Sequence, residues 1–175
     1  MERDYIEFQD RSVAVAYMIT FRCYGTWLHG DERGSVDRRF FNRYGSEMIR
    51  SDPKMRFTKI RMLKSAAFIL GRKERAVVEK AIREVCRVRG YSLIAINVRS
   101  NHVHIVVGNG GQPERIMDAF KAYATRALRA ERLIGDTVRP WSRHGSTRYL
   151  WCDEHVDLAV EYVINGQGEE LPEFE

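Results

Sequence analysis

The stretch Ser-Asn-His-Val-His-Ile-Val-Val, residues 100–107, decides the fold. Successive side chains of a strand point to opposite faces. His102 and His104 therefore project from one face, and Val103, Ile105 and Val107 face a core on the other. Two neutral imidazoles side by side suit a divalent metal. The competing reading is a strand with two incidental histidines, since short H-x-H matches are common.

The neighbouring segments supply partners for such a strand. Residues 91–98 read as a second strand, and the short Arg99-Ser-Asn link predicts an antiparallel hairpin. Residues 13–22 read as a buried strand. Residues 146–151 form a short one. Residues 58–70 and 72–89 are helical. The second of these carries Ala76, Val77, Ile82, Val85 and Cys86 at helical spacing, and Gly90 stops it. A long helix runs from Pro113 to about Leu133 with the stripe Ile116, Met117, Phe120, Tyr123, Ala124, Ala127 and Leu128. Asp153 is the expected N-cap of a final helix to about Asn165. Residues 30–55 read as a long loop with short helical pieces. The order strand, helix, strand, strand, helix, strand, helix predicts an α+β fold, an antiparallel sheet with helices packed mainly on one face.

Composition narrows the class. The chain of 175 residues fits one domain, with an acidic tail at 169–175 expected to be flexible. An apolar content of 44% excludes global disorder. Three scattered cysteines, Cys23, Cys86 and Cys152, give no disulfide framework. The charged N-terminus lacks a secretory core, and no apolar run spans a bilayer. A cytoplasmic protein with no membrane partner is expected. The net charge of +5 favours a polyanionic partner. Candidate DNA contacts are Lys121, Arg126, Arg129, Arg143 and Arg148.

A metal beside a basic surface suggests phosphoryl chemistry, which needs a nucleophile. Tyr123 lies on the apolar stripe of its helix and reads as core. Tyr162 does not. The stripe of the last helix is Val156, Ala159, Val160, Val163 and Ile164, and Tyr162 falls roughly 130° from its centre. Such a tyrosine is exposed by accident, binds a partner or does chemistry. Asn165 and Gln167 follow it, and either amide oxygen suits a metal site, although a polar helix end is also ordinary. His29 and His144, in glycine-containing loops, and His155, at the start of the last helix, read as structural or exposed.

An H-hydrophobe-H strand followed by one tyrosine on a C-terminal helix resembles the single-tyrosine HUH transposases. These include small insertion-sequence transposases and REP-associated tyrosine transposases. The segments beginning at Ser100, Phe120, Ser146 and Glu161 follow the family's order and approximate spacing. The resemblance covers about Val13 to Gln167. It implies a ferredoxin-like or RRM-like sheet with the histidines on a central strand, and Mg²⁺ or Mn²⁺ held by His102 and His104. It implies that Tyr162 attacks a phosphodiester of single-stranded or hairpin DNA, giving a 5′-phosphotyrosine and a free 3′-OH. The family's third ligand lies one turn after the tyrosine, where this chain has Gly166. Gln167 is then the preferred ligand and Asn165 the second. A homodimer with shared active sites is a family option. Trp27, Tyr24, Phe40 and Phe41 are candidates for stacking on unpaired bases, with packing the simpler role for each. A non-cleaving, domesticated DNA-binding protein is the alternative. A nuclease using water is a third reading.

Overall fold

The computed structural model describes residues 14–32, 49–108 and 110–166. Its elements are β1 (Ala16–Cys23), α1 (Pro53–Arg61), α2 (Arg72–Arg89), β2 (Leu93–Val98), β3 (His102–Gly108), α3 (Pro113–Ala130), β4 (Trp141–Leu150) and α4 (Asp153–Asn165). The four strands form one antiparallel sheet in the order β2-β3-β1-β4. β2 and β3 are the predicted hairpin, and β3 and β1 are the central strands.

Alternation along β3 divides the molecule. Val103, Ile105 and Val107 join the larger hydrophobic cluster, which also holds Ile19 and Phe21 of β1, Val78, Ile82 and Val85 of α2, and Phe120 and Leu128 of α3. Val106 faces the other way and joins a smaller cluster with Ala16, Ala95, Leu150, Ala159 and Val163. Among the described residues, helices α2 and α3 thus cover one face of the sheet and α4 lies across the other. The α+β prediction holds, with the helices that pack on the sheet divided two to one between its faces and α1 burying no residue.

Local chemistry fixes the element ends. Gly90 follows α2 at φ +70°, and its N–H returns to the Cys86 carbonyl, as the glycine stop signal predicts. α1 starts earlier than expected because Asp52 caps it, accepting from the N–H groups of Lys54 and Met55 with Pro53 in the first turn. It ends at Arg61, and residues 62–71 form no regular element. Leu70 of that segment is buried, its N–H bonded to the Ser100 carbonyl. In α2, Val78 and Ala81 occupy the core face, and Ala76 is exposed. α4 begins at Asp153 with Cys152 as its cap position, one residue before the expected one.

β4 starts at Trp141, five residues before the predicted strand. Its first half, Trp-Ser-Arg-His-Gly, lacks apolar alternation, and tertiary contacts hold it instead. The Trp141 indole donates to the Lys121 carbonyl at 3.1 Å and to Thr125 Oγ1 at 3.0 Å, and meets Phe21 edge-on at 5.0 Å. Gly145 is required there. A Cβ would run into Met117 Sδ of α3 and come within 2.5 Å of the Thr20 carbonyl.

Cys23 and Cys86 are buried, and Cys152 is half-buried. Burial pushes the Cys23 thiol up to about 12 and the Cys86 thiol to about 11. Both stay protonated in the folded chain where the unfolded chain ionises near 9.0. Folding stability should therefore fall as pH rises from 9 toward 12, which denaturant melts across that range measure. Ellman's reagent at pH 8 should label Cys152 in the folded protein, and Cys23 and Cys86 only after unfolding.

Candidate active site

The strand periodicity that buries Val103 and Ile105 brings the two imidazoles onto the α4 face. Their ring centroids lie 4.6 Å apart. Cross-strand pairing places Thr20 and Arg22 of β1 opposite His104 and His102, and Asn97 of β2 opposite His104 on the other side. His104 is buried, and its Nδ1 shares a 2.7 Å hydrogen bond with the Thr20 hydroxyl. His102 is half-buried, and its Nδ1 lies 2.6 Å from Asn101 Oδ1. With the amide oxygen as acceptor the ring donates through Nδ1, and the neutral tautomer of that kind keeps its lone pair on Nε2. An Nδ1 anchored in this way is the usual support of an imidazole that ligates through Nε2.

α4 delivers the tyrosine. Ala159 and Val163 are its buried residues, with Val156 and Val160 packed beside them. Tyr162 is 47% exposed, off that stripe as the helical wheel predicts. Its ring meets the His104 ring edge-on at 5.5 Å. Ile164, expected on the stripe, is exposed instead. The seat is reinforced at one point: Asn97 Nδ2 donates to the Val163 carbonyl at 2.8 Å. That carbonyl belongs to the last turn, where helices leave acceptors unsatisfied. One amide of β2 thus ties the residue after Tyr162 to the strand position beside His104.

The region after the tyrosine is partly described. Gln167, the preferred third ligand, lies outside the described residues, as do Phe40, Phe41 and the acidic tail. Asn165 is described, and its amide donates to Glu161 Oε1 at 3.0 Å on the exposed side of α4. At Gly166 an added Cβ would come within 2.8 Å of Tyr162 Cδ2. The tyrosine ring occupies the space that a side chain at that position would need. Among the described residues no group of three or more His, Cys, Asp or Glu is placed to hold a metal. The donor set among the described residues is two imidazoles, which fits half of a divalent-cation site.

The five basic candidates separate. Arg148 of β4 is exposed and pairs with Met18, which packs on the α4-side cluster, so it shares the histidine face. Lys121 is buried in the other layer, its ammonium donating to the Ser142 and His144 carbonyls at 3.0 and 3.2 Å. Arg126 and Arg129 line a shallow cavity on α3 with Asp118 and Thr125, and Arg126 lies over the Tyr123 ring at 5.0 Å. Arg143 borders a second cavity with Glu114 and Thr147. His144 lies exposed on β4 and not in a loop, and His155 Nδ1 accepts from the Trp151 N–H at 3.4 Å. Thr20, Asn97 and Asn101 escaped the reading of the sequence. For Thr20 and Asn97 the signal is the strand pairing itself, which puts polar side chains beside the histidines, and Asn101 directly precedes His102 in the sequence.

The result is an antiparallel four-stranded α+β sheet with a histidine pair and a tyrosine helix on one face and two helices on the other. The family described as "Transposase IS200 like" matches residues 52–163. The chain belongs to this family of transposases, which are DNA-processing enzymes. A solved REP-associated tyrosine transposase bound to a REP hairpin has the same fold. It is 13% identical with a TM-score of 0.50, over 93% of this chain and 69% of that one. A Deinococcus radiodurans structure assigned provisionally to the transposases is 13% identical over 97% of this chain and 100% of its own. Its TM-score of 0.44 is too low to carry an argument. No curated protein matches the sequence.

Thr20→Val keeps the side-chain shape and deletes the hydroxyl, so buried His104 loses that hydrogen bond. Unfolding in urea should show a loss of about 1–3 kcal/mol, while Thr20→Ser stays close to wild type.

Proposed function

We propose that the protein is a metal-dependent single-stranded DNA transposase that cleaves and rejoins DNA through Tyr162. The observation that carries this reading is the edge-on contact of Tyr162 with His104, beside His102, within a single chain. His102 and His104 would hold a divalent cation, Mg²⁺ or Mn²⁺ by analogy with the family, and Gln167 is the proposed third ligand. Bound there, the cation supplies Lewis-acid polarisation of the scissile phosphate.

The chain's own residues do the rest. Asn101 and Thr20 fix the imidazoles, and Asn97 fixes the helix end that carries the nucleophile. Tyr162 Oη attacks phosphorus and loses its proton. The P–O3′ bond breaks, and the 3′ oxygen takes up a proton. The phosphodiester is conserved as a 5′-phosphotyrosine, so a 3′-OH attacking the same phosphorus restores DNA and tyrosine without an external energy source. The structural neighbour was solved with a REP hairpin, and hairpin-bearing single strands are the substrate class proposed here. Arg148 lies on the side of the sheet that this strand would follow. Arg126, Arg129 and Arg143 are proposed contacts for more distant parts of the DNA, and Lys121 acts by bracing β4. Tyr162 contacts the histidine of its own chain, which supports a site assembled within one subunit.

Gly166 at the expected ligand position favours one other reading, a domesticated protein that binds hairpins without cutting them. A panel of hairpin-bearing single strands with Mn²⁺ or Mg²⁺, resolved on denaturing gels, separates the two. The transposase reading expects a covalent protein–DNA adduct that EDTA, His102→Ala and Tyr162→Phe each abolish. An adduct surviving Tyr162→Phe would sink the nucleophile assignment. Tight binding with no adduct on any strand would favour the domesticated protein. Cleavage retained in Tyr162→Phe but lost in His102→Ala would assign a water-using nuclease.

A further inference from the structure

On the β1 side of the histidine pair Thr20 holds His104, and Arg22, opposite His102, has no role in that reaction. β1 and β3 pair without a shift from Ala16 to Arg22, which sits opposite His102. Thr20, two residues earlier, bonds His104, so alternation puts the Arg22 side chain on the histidine face. Its guanidinium carbon lies 3.2 Å from the centroid of the Trp27 ring. The loop carrying Trp27 is tied to the turn that precedes His102. The Cys23 N–H donates to the Asn101 carbonyl at 2.9 Å. Thr26 Oγ1 donates to the Cys23 carbonyl at 2.9 Å and to the Asn101 carbonyl at 3.3 Å. Asn101 also holds His102 through its side chain. One short turn therefore fixes the cation, its aromatic support and the first histidine.

We propose that Arg22, braced on Trp27, is a phosphate-binding residue of this site. It takes a phosphodiester of the bound single strand on the His102 side of the pair, while Tyr162 stands on the His104 side. Stacking engages the face of a guanidinium, and the planar fork of such a group matches two phosphate oxygens. The stack also restricts a side chain whose freedom would otherwise be lost on binding. The inference rests on the DNA-processing reading of the same site and deepens it.

The test needs neither metal nor cleavage. An oligothymidylate of about twenty nucleotides is titrated with the full-length protein in EDTA, by fluorescence anisotropy at several salt concentrations. Each phosphate contact to a single strand adds about 0.7 to the slope of log affinity against log salt. Arg22→Ala should flatten the slope by about that amount, so that the fall in affinity between about 50 and 200 mM salt becomes about 2.6-fold smaller. Arg22→Gln should do the same while keeping an aliphatic stem on Trp27, which covers the case in which the alanine variant fails to fold. Arg22→Lys should keep the slope, because it keeps the charge. Arg83, paired with Glu79 on α2, is the control, and Arg83→Ala should change nothing. Three results would overturn the proposal: no binding by the wild type, an unchanged slope in both neutral Arg22 variants, or an equal flattening in Arg83→Ala. A flattened slope in a protein that forms no adduct would keep the phosphate site and remove the cleavage reading.

Discussion

Everything at this site depends on the placement of β3 between β2 and β1. A strand paired on both sides cannot slip by one residue without turning every side chain to the opposite face. Here a slip would put Val103, Ile105 and Val107 among polar groups and drive both histidines into the core. The burial of those apolar residues and their β1 neighbours, at roughly 1.5–3 kcal/mol for each large side chain, is the force that holds the imidazoles on the α4 face. The site itself contributes little to its own placement. It inherits its geometry from the packing beneath it.

The polar groups then refine what the core fixes coarsely. Asn101 selects the tautomer of His102, and Thr20 bonds the ring nitrogen of His104. Asn97, from the third strand, holds the helix that carries Tyr162. Thr20 and Asn97 meet the site only because two strand pairings bring them there, whereas Asn101 adjoins His102 in the sequence. A substitution in β1 can therefore disturb the chemistry without touching the DNA.

The sequence made the face of His102 and His104 legible because a strand period of two is unambiguous over seven residues. It made Tyr162 legible because the apolar stripe of α4 is narrow enough to leave the tyrosine outside it. A helix was expected at 58–70, but α1 lies at Pro53–Arg61, and its bounds were misplaced because it buries no residue and so shows no periodicity. The first half of β4 escaped because an edge strand held by Trp141, Lys121 and a close-packed glycine needs no alternation of its own. Arg22, Thr20 and Asn97 were legible only as members of strands. Their role is a property of register, which no single segment encodes. The division of the helices between the two faces was not legible either, since the stripe of α4 fits either side of a sheet.

That division has a thermodynamic consequence. The tyrosine helix rests on the smaller of two hydrophobic clusters, chiefly through Ala159 and Val163. The larger cluster, between the sheet and α2 and α3, stabilises the sheet independently of that helix. Proteins open in contiguous units whose free energies scale with what each unit buries. Detaching α4 therefore costs less than unfolding the sheet, and the histidines and Arg22 keep their positions while Tyr162 departs. The chain is built as a rigid platform with one separable arm, and the arm is the part that carries Tyr162.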